Sequence, residues 1–253
     1  MSSKLRAVWR VFLFFGWTFW TLIVILFRSS LRRLDIPGGL ELRRNWARVG
    51  TDLVGLKVQT NGLQDGGIPC IYISNHRSYA DPIIALREVK AFPVAKEEFR
   101  NWPIIGFAAY MTGILFVKRE QKSSRRATLD GMAEVLKQGH SILIYPETKT
   151  HNEPTTIPFR YGSFRLAAEL GVPIVPIAID YSLRTNAWIH RYTFVGHFLR
   201  NFGRKKIPVT VIYGPPFRHD DFETLLSQCQ AWMDQHLLEI QESYRDTYHQ
   251  PNP

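Results

Sequence analysis

The stretch Ser74-Asn75-His76-Arg77-Ser78-Tyr79-Ala80-Asp81-Pro82 links an apolar run at residues 68–73 to the start of a helix. The apolar run predicts a buried strand. Asp81 followed by Pro82 predicts a helix start, with the aspartate as N-cap and the proline at the first helical position. In an open α/β sheet, ligands bind at the carboxyl ends of strands. We therefore expect functional residues in the loop that follows this strand.

His76 and Asp81 stand five residues apart in this loop, which can fold the imidazole back toward the carboxylate. A carboxylate that holds one ring nitrogen fixes the tautomer and makes the other nitrogen more basic. Such a pair is the base half of a catalytic triad without its nucleophile, and it suits an enzyme whose nucleophile is the hydroxyl of the substrate. The spacing alone is weak evidence for catalysis. Asp81 could have no role beyond capping a helix, and His76 could be an ordinary loop residue.

The alternation of strand and helix patterns continues along the chain from about residue 55. Short β-rich apolar runs predict strands at residues 56–60, 68–73, 91–95, 114–117, 141–145, 174–179 and 209–213. Helical patterns cover residues 82–89, 103–111, 123–138, 163–170 and 221–244. We therefore predict an α/β fold with a mainly parallel central sheet flanked by helices.

The first 50 residues carry most of the net charge of +10, with nine Lys and Arg against two Asp and Glu. They also contain the longest apolar run, residues 11–27, with Trp9, Trp17 and Trp20 in or beside it. Basic and aromatic residues around an apolar helix are typical of contact with an anionic membrane surface. Basic charge is also typical of nucleic-acid binding. Because the charges flank an apolar run, we predict membrane lipids as partners and no nucleic acid.

The depth of this apolar helix in the membrane is left open by the sequence. Its 17 residues are at the short end of the spanning range, and Arg10 and Arg28 make both ends basic. A single short span, a helix that enters one leaflet and a helix at the interface all fit. A cleaved signal peptide is not expected, because arginines and no small-residue cleavage site follow the run.

A second helix is predicted at residues 40–54, after a break at Pro37-Gly38-Gly39. Its apolar residues recur at helical spacing among arginines, which suits either the membrane surface or packing on the domain. We therefore divide the chain into a membrane-associating helical segment at residues 1–54, a catalytic domain at residues 55–247 and a frayed tail at residues 248–253.

Other chemistries find little support in the sequence. No GxSxG elbow of a lipid hydrolase is present, and we expect Cys70 to be a core residue. Cys70 and Cys229 lie far apart, which argues against a disulfide framework or a cysteine metal site. A metal site that joins His76 and Asp81 to His140, His151 or His190 has no supporting spacing, so no metal is expected.

Charged residues follow two more of the predicted strands. Lys118 and Arg119 come after the strand at residues 114–117, and Glu147, Thr148 and Lys149 come after the strand at residues 141–145, with Arg160 soon afterwards. A basic pocket beside a His–Asp pair suits an anionic substrate that bears a hydroxyl.

Four segments in this order resemble the motifs of the glycerolipid acyltransferases. Asn75 to Asp81 is similar to the NHxxxxD motif, and Gly113-Ile114-Leu115-Phe116-Val117-Lys118-Arg119 to the second motif, a glycine and an apolar strand that ends in arginine. Tyr145-Pro146-Glu147 falls where the third motif, F-P-E-G-T-R-S, is expected. Val172-Pro173-Ile174-Val175-Pro176-Ile177 resembles the fourth. The resemblance covers about residues 70–180.

The resemblance implies a membrane-bound acyltransferase that moves a fatty acyl group from acyl-CoA or acyl-carrier protein to the hydroxyl of a lyso-lipid, with no cofactor. His76 would be the general base and Asp81 would orient it, without a covalent intermediate. We predict substrate contacts at Asn75, Lys118, Arg119, Glu147, Thr148, Lys149 and Arg160. The expected location is the cytoplasmic face of the inner or plasma membrane.

The acceptor is left open by the third motif. Where the pattern has Gly-Thr-Arg after the glutamate, this chain has Thr148-Lys149-Thr150. In the enzymes with phosphate acceptors that arginine contacts the phosphate, and Lys149 supplies a point charge without the bidentate fork. The candidates are therefore lysophosphatidic acid, which would give phosphatidic acid, and another lyso-lipid such as a lyso-ornithine lipid or a lysophospholipid. A non-catalytic membrane-binding protein of the same fold is the alternative from another class.

Overall fold

The computed structural model describes residues 2–62, 67–96, 112–117, 122–189 and 193–245. A seven-stranded sheet forms its centre, with the strand order β1-β7-β6-β2-β5-β3-β4. The strands are β1 (Leu56–Gly62), β2 (Ile71–Ser74), β3 (Ala91–Lys96), β4 (Leu115–Val117), β5 (Ser141–Ile144), β6 (Ile174–Tyr181) and β7 (Ile207–Tyr213). Every neighbouring pair is parallel except β6 with β7. The prediction of a mainly parallel sheet is therefore confirmed.

Helices cover both faces of this sheet. They are α1 (Ser3–Ser30), α2 (Ile36–Leu53), α3 (Asp81–Ala85), α4 (Lys122–Lys137), α5 (Gly162–Leu170), α6 (Phe194–Asn201) and α7 (Phe222–Ser243). Consecutive side chains of β2 enter opposite cores, as the two-residue period of a strand requires. Tyr72 packs in the core shared with α2, α3 and α6, whereas Ile71 and Ile73 pack in the core shared with α4, α5 and α7.

The sequence predicted most of these elements, with errors at their ends. The predicted strand at residues 68–73 begins only at Ile71, since Ile68 is exposed. The predicted helix at residues 82–89 ends at Ala85. No predicted element corresponds to α6 or to the short 3-10 turn Arg184–Asn186. The predicted helix at residues 103–111 and the predicted tail at residues 248–253 lie outside the described residues.

The proposed break at Pro37-Gly38-Gly39 is wrong, because these residues begin α2. Asp35 is the N-cap, and its carboxylate accepts a hydrogen bond from Gly38 N at 2.9 Å. Pro37 lies in the first turn, where its missing N–H costs nothing. The first helix ends earlier, at Ser30, and Arg32 turns the chain with a left-handed φ of 52°.

Helices α1 and α2 pack side by side and are tied to the domain. Trp17 Nε1 donates to the carbonyl of Trp46, and Trp46 Nε1 donates to Thr18 Oγ1. Arg10 donates to the backbone carbonyls of Phe202, Arg204 and Lys205. In α2, buried Arg43 donates to the carbonyls of Thr112, Gly113 and Ala91. Both helices therefore lie along the domain.

The outer face of α1 is apolar and exposed. It presents Leu5, Val8, Trp9, Phe12, Phe15, Phe19, Trp20, Ile23, Leu26 and Phe27. These residues recur every three to four positions, which places them in one stripe along the helix. Among the described residues, α1 is the one helix that is long and apolar enough to cross a membrane by length and composition.

Candidate active site

His76 and Asp81 meet at the carboxyl end of β2. His76 Nδ1 lies 2.9 Å from Asp81 Oδ2, and the carboxylate is completely buried while the imidazole is partly exposed. Because a carboxylate only accepts hydrogen bonds, Nδ1 carries the proton and donates it. The lone pair of Nε2 is therefore left as the basic position of the ring.

Four donors surround the buried carboxylate of Asp81. The main-chain nitrogens of Arg77 and Ser78 each lie 2.6 Å from Oδ2, beside His76 Nδ1, and the hydroxyl of Tyr181 donates to Oδ1 at 2.6 Å. Burial first, and the Asp81 charge second, raise the pKa of Tyr181 well above its ordinary value. The phenol therefore stays protonated and remains a donor. These bonds replace the water that the carboxylate loses on burial.

The sequence predicted Asp81 as the N-cap of α3, and this prediction is wrong. Asp81 is the first residue of the helix, and Ala80 occupies the N-cap without a side-chain bond. The carboxylate turns back to the loop at residues 76–78 and is therefore not available to the first turn. Its Oδ2 serves the histidine loop, and its Oδ1 accepts from Tyr181 of β6.

Tyr145, which follows β5, packs against the imidazole of His76. The two ring centroids are 4.5 Å apart with an interplanar angle of 35°. The hydroxyl of Tyr145 is buried without a hydrogen-bond partner, and burial raises the pKa of Tyr145 well above its ordinary value. The tyrosine ring therefore restricts the imidazole from one face while its hydroxyl stays protonated.

Glu147 holds the backbone of His76. Its Oε2 accepts the main-chain N–H of His76 at 2.6 Å, and its Oε1 accepts from His151 Nε2 at 2.8 Å and Ile157 N at 3.1 Å. The residue is only 3% exposed. Both oxygens accept hydrogen bonds from the protein, so Glu147 fixes the main chain of the base. Its contact with the substrate stays a prediction.

Asn75, another predicted substrate contact, bonds to the main chain of β6 in this structure. Its side-chain amide is fully buried and exchanges two hydrogen bonds of 2.8 Å with the main chain of Ile179 in β6. These bonds tie the end of β2 to its neighbouring strand. Asn75 is therefore placed to fix the histidine loop, and its contact with the substrate stays a prediction.

The remaining predicted contacts lie at the same edge of the sheet or outside the described residues. Thr148, Lys149 and Arg160 are exposed, and the main-chain nitrogen of Arg160 donates to the carbonyl of Pro146 at 3.1 Å. Thr148 has a left-handed φ of 63°. Lys118 and Arg119 lie outside the described residues.

Within the described residues, no side chain that could serve as a nucleophile is hydrogen-bonded to the imidazole of His76. Cys70 and Cys229 are both buried in the apolar cores, and Ser78 is fully buried. The described ranges also contain no group of three or more His, Cys, Asp and Glu that could hold a metal ion. The site as described is a base with its orienting groups.

The profile of the acyltransferase family matches residues 55–180, which include His76, Asp81, Tyr145 and Glu147. The chain belongs to the glycerolipid acyltransferase family. Its fold is that of the family as well. The crystal structure of a 1-acyl-sn-glycerophosphate acyltransferase, PlsC, from Thermotoga maritima superposes with a TM-score of 0.69, at 19% identity, over 98% of this chain and 100% of that chain.

Two curated acyltransferases illustrate the range of relatives. A chloroplastic 1-acyl-sn-glycerol-3-phosphate acyltransferase from Brassica napus is 34% identical over 131 residues, which are 51% of this chain and 37% of the relative. A lyso-ornithine lipid O-acyltransferase from Rhizobium meliloti is 29% identical over 157 residues, which are 59% of this chain and 53% of the relative. The chain thus spans about a third to a half of the length of these two acyltransferases.

Three residues of the acyltransferase site were missed from the sequence. Tyr181 stands at the carboxyl end of β6, and the rule that ligand-side residues follow strands could have found it had the strand been extended past residue 179. Arg77 and His151 form a buried pair at 3.1 Å. No local pattern signals that contact, because it joins the loops after β2 and β5.

Proposed function

We propose that this protein is an O-acyltransferase that transfers a fatty acyl group from an acyl thioester to the free hydroxyl of a lyso-lipid. His76 Nε2 takes the proton of the hydroxyl as its oxygen attacks the thioester carbonyl carbon. The tetrahedral intermediate collapses with cleavage of the C–S bond, and the imidazolium returns the proton to the leaving thiolate. The products are an ester and a free thiol, without an acyl-enzyme.

One observation carries this proposal: the imidazole is fully oriented, yet the described residues place no nucleophile against it. Asp81 fixes the tautomer of His76, and Glu147 fixes its backbone. A thioester is already activated, so a hydroxyl with a general base is sufficient for the reaction. A positioned base contributes on the order of 10²–10⁴ in rate.

Two acceptors are supported, by different relatives. One matched protein is named for 1-acyl-sn-glycerol-3-phosphate and another for lyso-ornithine lipid. Thr150, which stands where the third motif has arginine, donates its hydroxyl to the carbonyl of Trp188. Lys149 and Arg160 remain as exposed cations for the head group. We propose lysophosphatidic acid as the first acceptor to test and a lyso-ornithine lipid as the second, with acyl-CoA or acyl-carrier protein as donor.

We further propose that α1 lies with its outer apolar face in one leaflet and does not span the bilayer. Trp17 and Trp46 hold α1 and α2 side by side, so a span by α1 would carry α2 into the bilayer as well. Helix α2 bears Glu41, Arg43, Arg44 and Arg48, which are too costly for the hydrocarbon region. Attachment through one face leaves the whole domain on one side of the membrane, and the proposed side is the cytoplasmic one.

An acyl-transfer assay tests the chemistry. Purified protein in mixed micelles receives either lysophosphatidic acid or a lyso-ornithine lipid, with acyl-CoA or acyl-carrier protein as donor. We expect ester formation with at least one pair and a loss of about 10²–10⁴ in His76→Ala. Equal transfer by both proteins would contradict the mechanism. Absence of transfer by the wild type with every pair would favour the non-catalytic membrane-binding alternative.

Vesicle flotation tests the membrane contact. We expect the triple variant Phe12→Glu/Phe15→Glu/Phe19→Glu to lose its binding to vesicles that contain anionic lipid, also at high salt. The substitutions remove the apolar area that α1 would bury in the membrane. Tyr161→Glu/Leu238→Glu is the matched control, since both residues are exposed and apolar on the domain. Retained binding of the triple variant, or equal loss in the control, would overturn the assignment to α1.

A further inference from the structure

His151 occupies an unusual position for a histidine. It lies four residues after Glu147, where the third-motif pattern ends in serine, and it is only 7% exposed. Both ring nitrogens are engaged: Nε2 lies 2.8 Å from Glu147 Oε1, and Nδ1 lies 3.1 Å from Arg77 Nη1 and 3.2 Å from Glu153 N. The imidazole therefore bridges a buried arginine and the carboxylate that holds His76.

The partners of His151 fix its tautomer. A guanidinium and a main-chain N–H can only donate, so Nδ1 must present its lone pair to both of them. Nε2 then carries the proton and donates it to Glu147. The ring is neutral in this arrangement, and a second proton on Nδ1 would face the positive charge of Arg77.

Arg77 is itself anchored, which makes the bridge rigid. Its side chain is 1% exposed, its Nη2 donates to the carbonyl of Pro154 at 3.2 Å, and Asp180 Oδ2 lies 3.7 Å away. A buried polar chain thus runs from Asp180 through Arg77, His151 and Glu147 to the main chain of His76. A second bond links His151 to His76 directly, because the main-chain N–H of His151 donates to the carbonyl of His76 at 3.2 Å.

We propose that His151, held in one tautomer by Arg77, is a positioning residue for His76, which rests on the acyl-transfer function proposed above. Its Nε2–H fixes one oxygen of Glu147, so that the other oxygen stays aimed at the main-chain N–H of His76. Without that bond only the main-chain N–H of Ile157, at 3.1 Å, holds this oxygen. The carboxylate is then less firmly oriented, and the histidine loop can shift. A misplacement of about 1 Å at a catalytic group costs about 10²-fold in rate.

Steady-state kinetics on three variants test this role. We expect His151→Ala to lower kcat by about 10–100-fold and to change the KM of donor and acceptor by less than about twofold. His151→Gln places an amide N–H near the position of Nε2 and should recover most of kcat. His151→Asn can reach Arg77 but not Glu147, and should remain as slow as the alanine variant.

Asp234→Ala is the control for a merely structural effect. Asp234 Oδ1 accepts hydrogen bonds from the main-chain N–H of Thr156 at 2.8 Å and from the hydroxyl of Thr156 at 2.6 Å. Asp234 therefore fixes the same loop to α7 without touching Glu147. We expect a lower Tm and an unchanged kcat in this variant. A kcat loss equal to that of His151→Ala, or no recovery in His151→Gln, would overturn the proposal. A change in KM alone would make His151 a substrate contact instead.

A measurement without turnover separates this proposal from the proposed function. In ¹⁵N-histidine spectra of the wild type, His151 should show a protonated Nε2 and an unprotonated Nδ1, and His151→Ala should shift the ring signals of His76. The opposite tautomer, or unchanged His76 signals, would refute the positioning role even if the wild type catalysed no acyl transfer. Inactivity of the wild type together with the expected spectra would refute only the function.

Discussion

Glu147 Oε2 accepts the main-chain N–H of His76 at 2.6 Å, and this bond joins the loops after β2 and β5. The contact is possible because β2 and β5 are parallel neighbours, whose carboxyl ends lie at the same edge of the sheet. A carboxylate in the third motif thus acts on the proposed base through its backbone. Asp81 acts on the same residue through its ring. His76 is therefore fixed at two points by two acidic residues.

Glu147→Gln should lower kcat by about 10–100-fold with little change in KM. Three donors are aimed at the two carboxylate oxygens, and glutamine supplies one oxygen and one NH₂ group. One donor would therefore face another, and the loop of His76 would move. Initial rates over a matrix of donor and acceptor concentrations separate the two constants. A raised KM for the lyso-lipid at normal kcat would show instead that Glu147 contacts the substrate.

Asp81→Asn should be far more damaging than Tyr181→Phe. Three donors share Oδ2 and only the Tyr181 hydroxyl faces Oδ1, so an asparagine must turn its NH₂ group toward either the histidine loop or that hydroxyl. In both orientations the negative charge that stabilises the imidazolium of His76 is lost. A loss of about 10⁴ in kcat is expected, as for a triad aspartate. Tyr181→Phe removes one of the four donors to Asp81 and should lower the free energy of unfolding by about 1–3 kcal/mol at most. Activity and urea unfolding of both variants check this ranking, which equal losses would contradict.

Much of the site could be predicted because the chemistry lies in one continuous stretch. His76 and Asp81 are five residues apart, and the apolar run before them marks the strand that carries them. The alternation of strands and helices also predicts that the residues after β2 and β5 share one edge of the sheet. The identity of the base, its partner and its neighbourhood therefore follows from local patterns.

The roles of the surrounding residues could not be predicted, because they depend on strand order. β2 lies between β5 and β6, so Glu147 and Tyr181 reach the histidine loop from opposite sides. No local pattern encodes that neighbourhood. Asn75 and Glu147 were predicted as substrate contacts, and no local pattern indicates that their buried side chains bond to the main chain of Ile179 and His76. Helix α6 was missed because it has only eight residues and a glycine, Gly196, in its first turn.

Thr148→Gly should stabilise the protein by about 1 kcal/mol. Thr148 is β-branched and has a φ of 63°, a conformation that costs such a residue about 1–3 kcal/mol. Glycine removes the strain and loses about 0.5–1 kcal/mol to the entropy of the unfolded chain. Gly171→Ala is the reverse control, because Gly171 has a φ of 64° and no heavy atom within 4 Å of an added Cβ. Gly171→Ala should destabilise the protein. Changes in the free energy of unfolding, measured by urea unfolding, should therefore have opposite signs in the two variants.

His197 should make stability fall as the pH drops from about 7 to 5. Burial lowers the pKa of His197 below its ordinary value of 6.5, while its ring contacts Tyr79 and the carbonyl of Ala187. Below pH 6.5 the unfolded chain takes up a proton that the folded chain takes up only at lower pH, so acid favours unfolding. Urea unfolding at pH 5, 6 and 7 gives the free energy of unfolding as a function of pH. This free energy should depend less steeply on pH in His197→Gln than in the wild type. Exposed His219→Gln should leave the slope unchanged, and an identical slope in both variants would contradict the assignment.

Thr150→Arg should shift acceptor preference toward lysophosphatidic acid. The residue stands where the third-motif pattern has the arginine that contacts phosphate, and its hydroxyl is bonded to the carbonyl of Trp188. A charge-assisted bond of about 1.5–3 kcal/mol to a phosphate should raise kcat/KM for lysophosphatidic acid roughly tenfold or more relative to a lyso-ornithine lipid. Thr150→Met breaks the bond to Trp188 and adds a long side chain without charge, so it should lower both activities together. If Thr150→Arg behaved like Thr150→Met, the side chain at this position would point away from the head group. Acceptor selectivity would then depend on Lys149 and Arg160, the exposed cations at the same edge of the sheet.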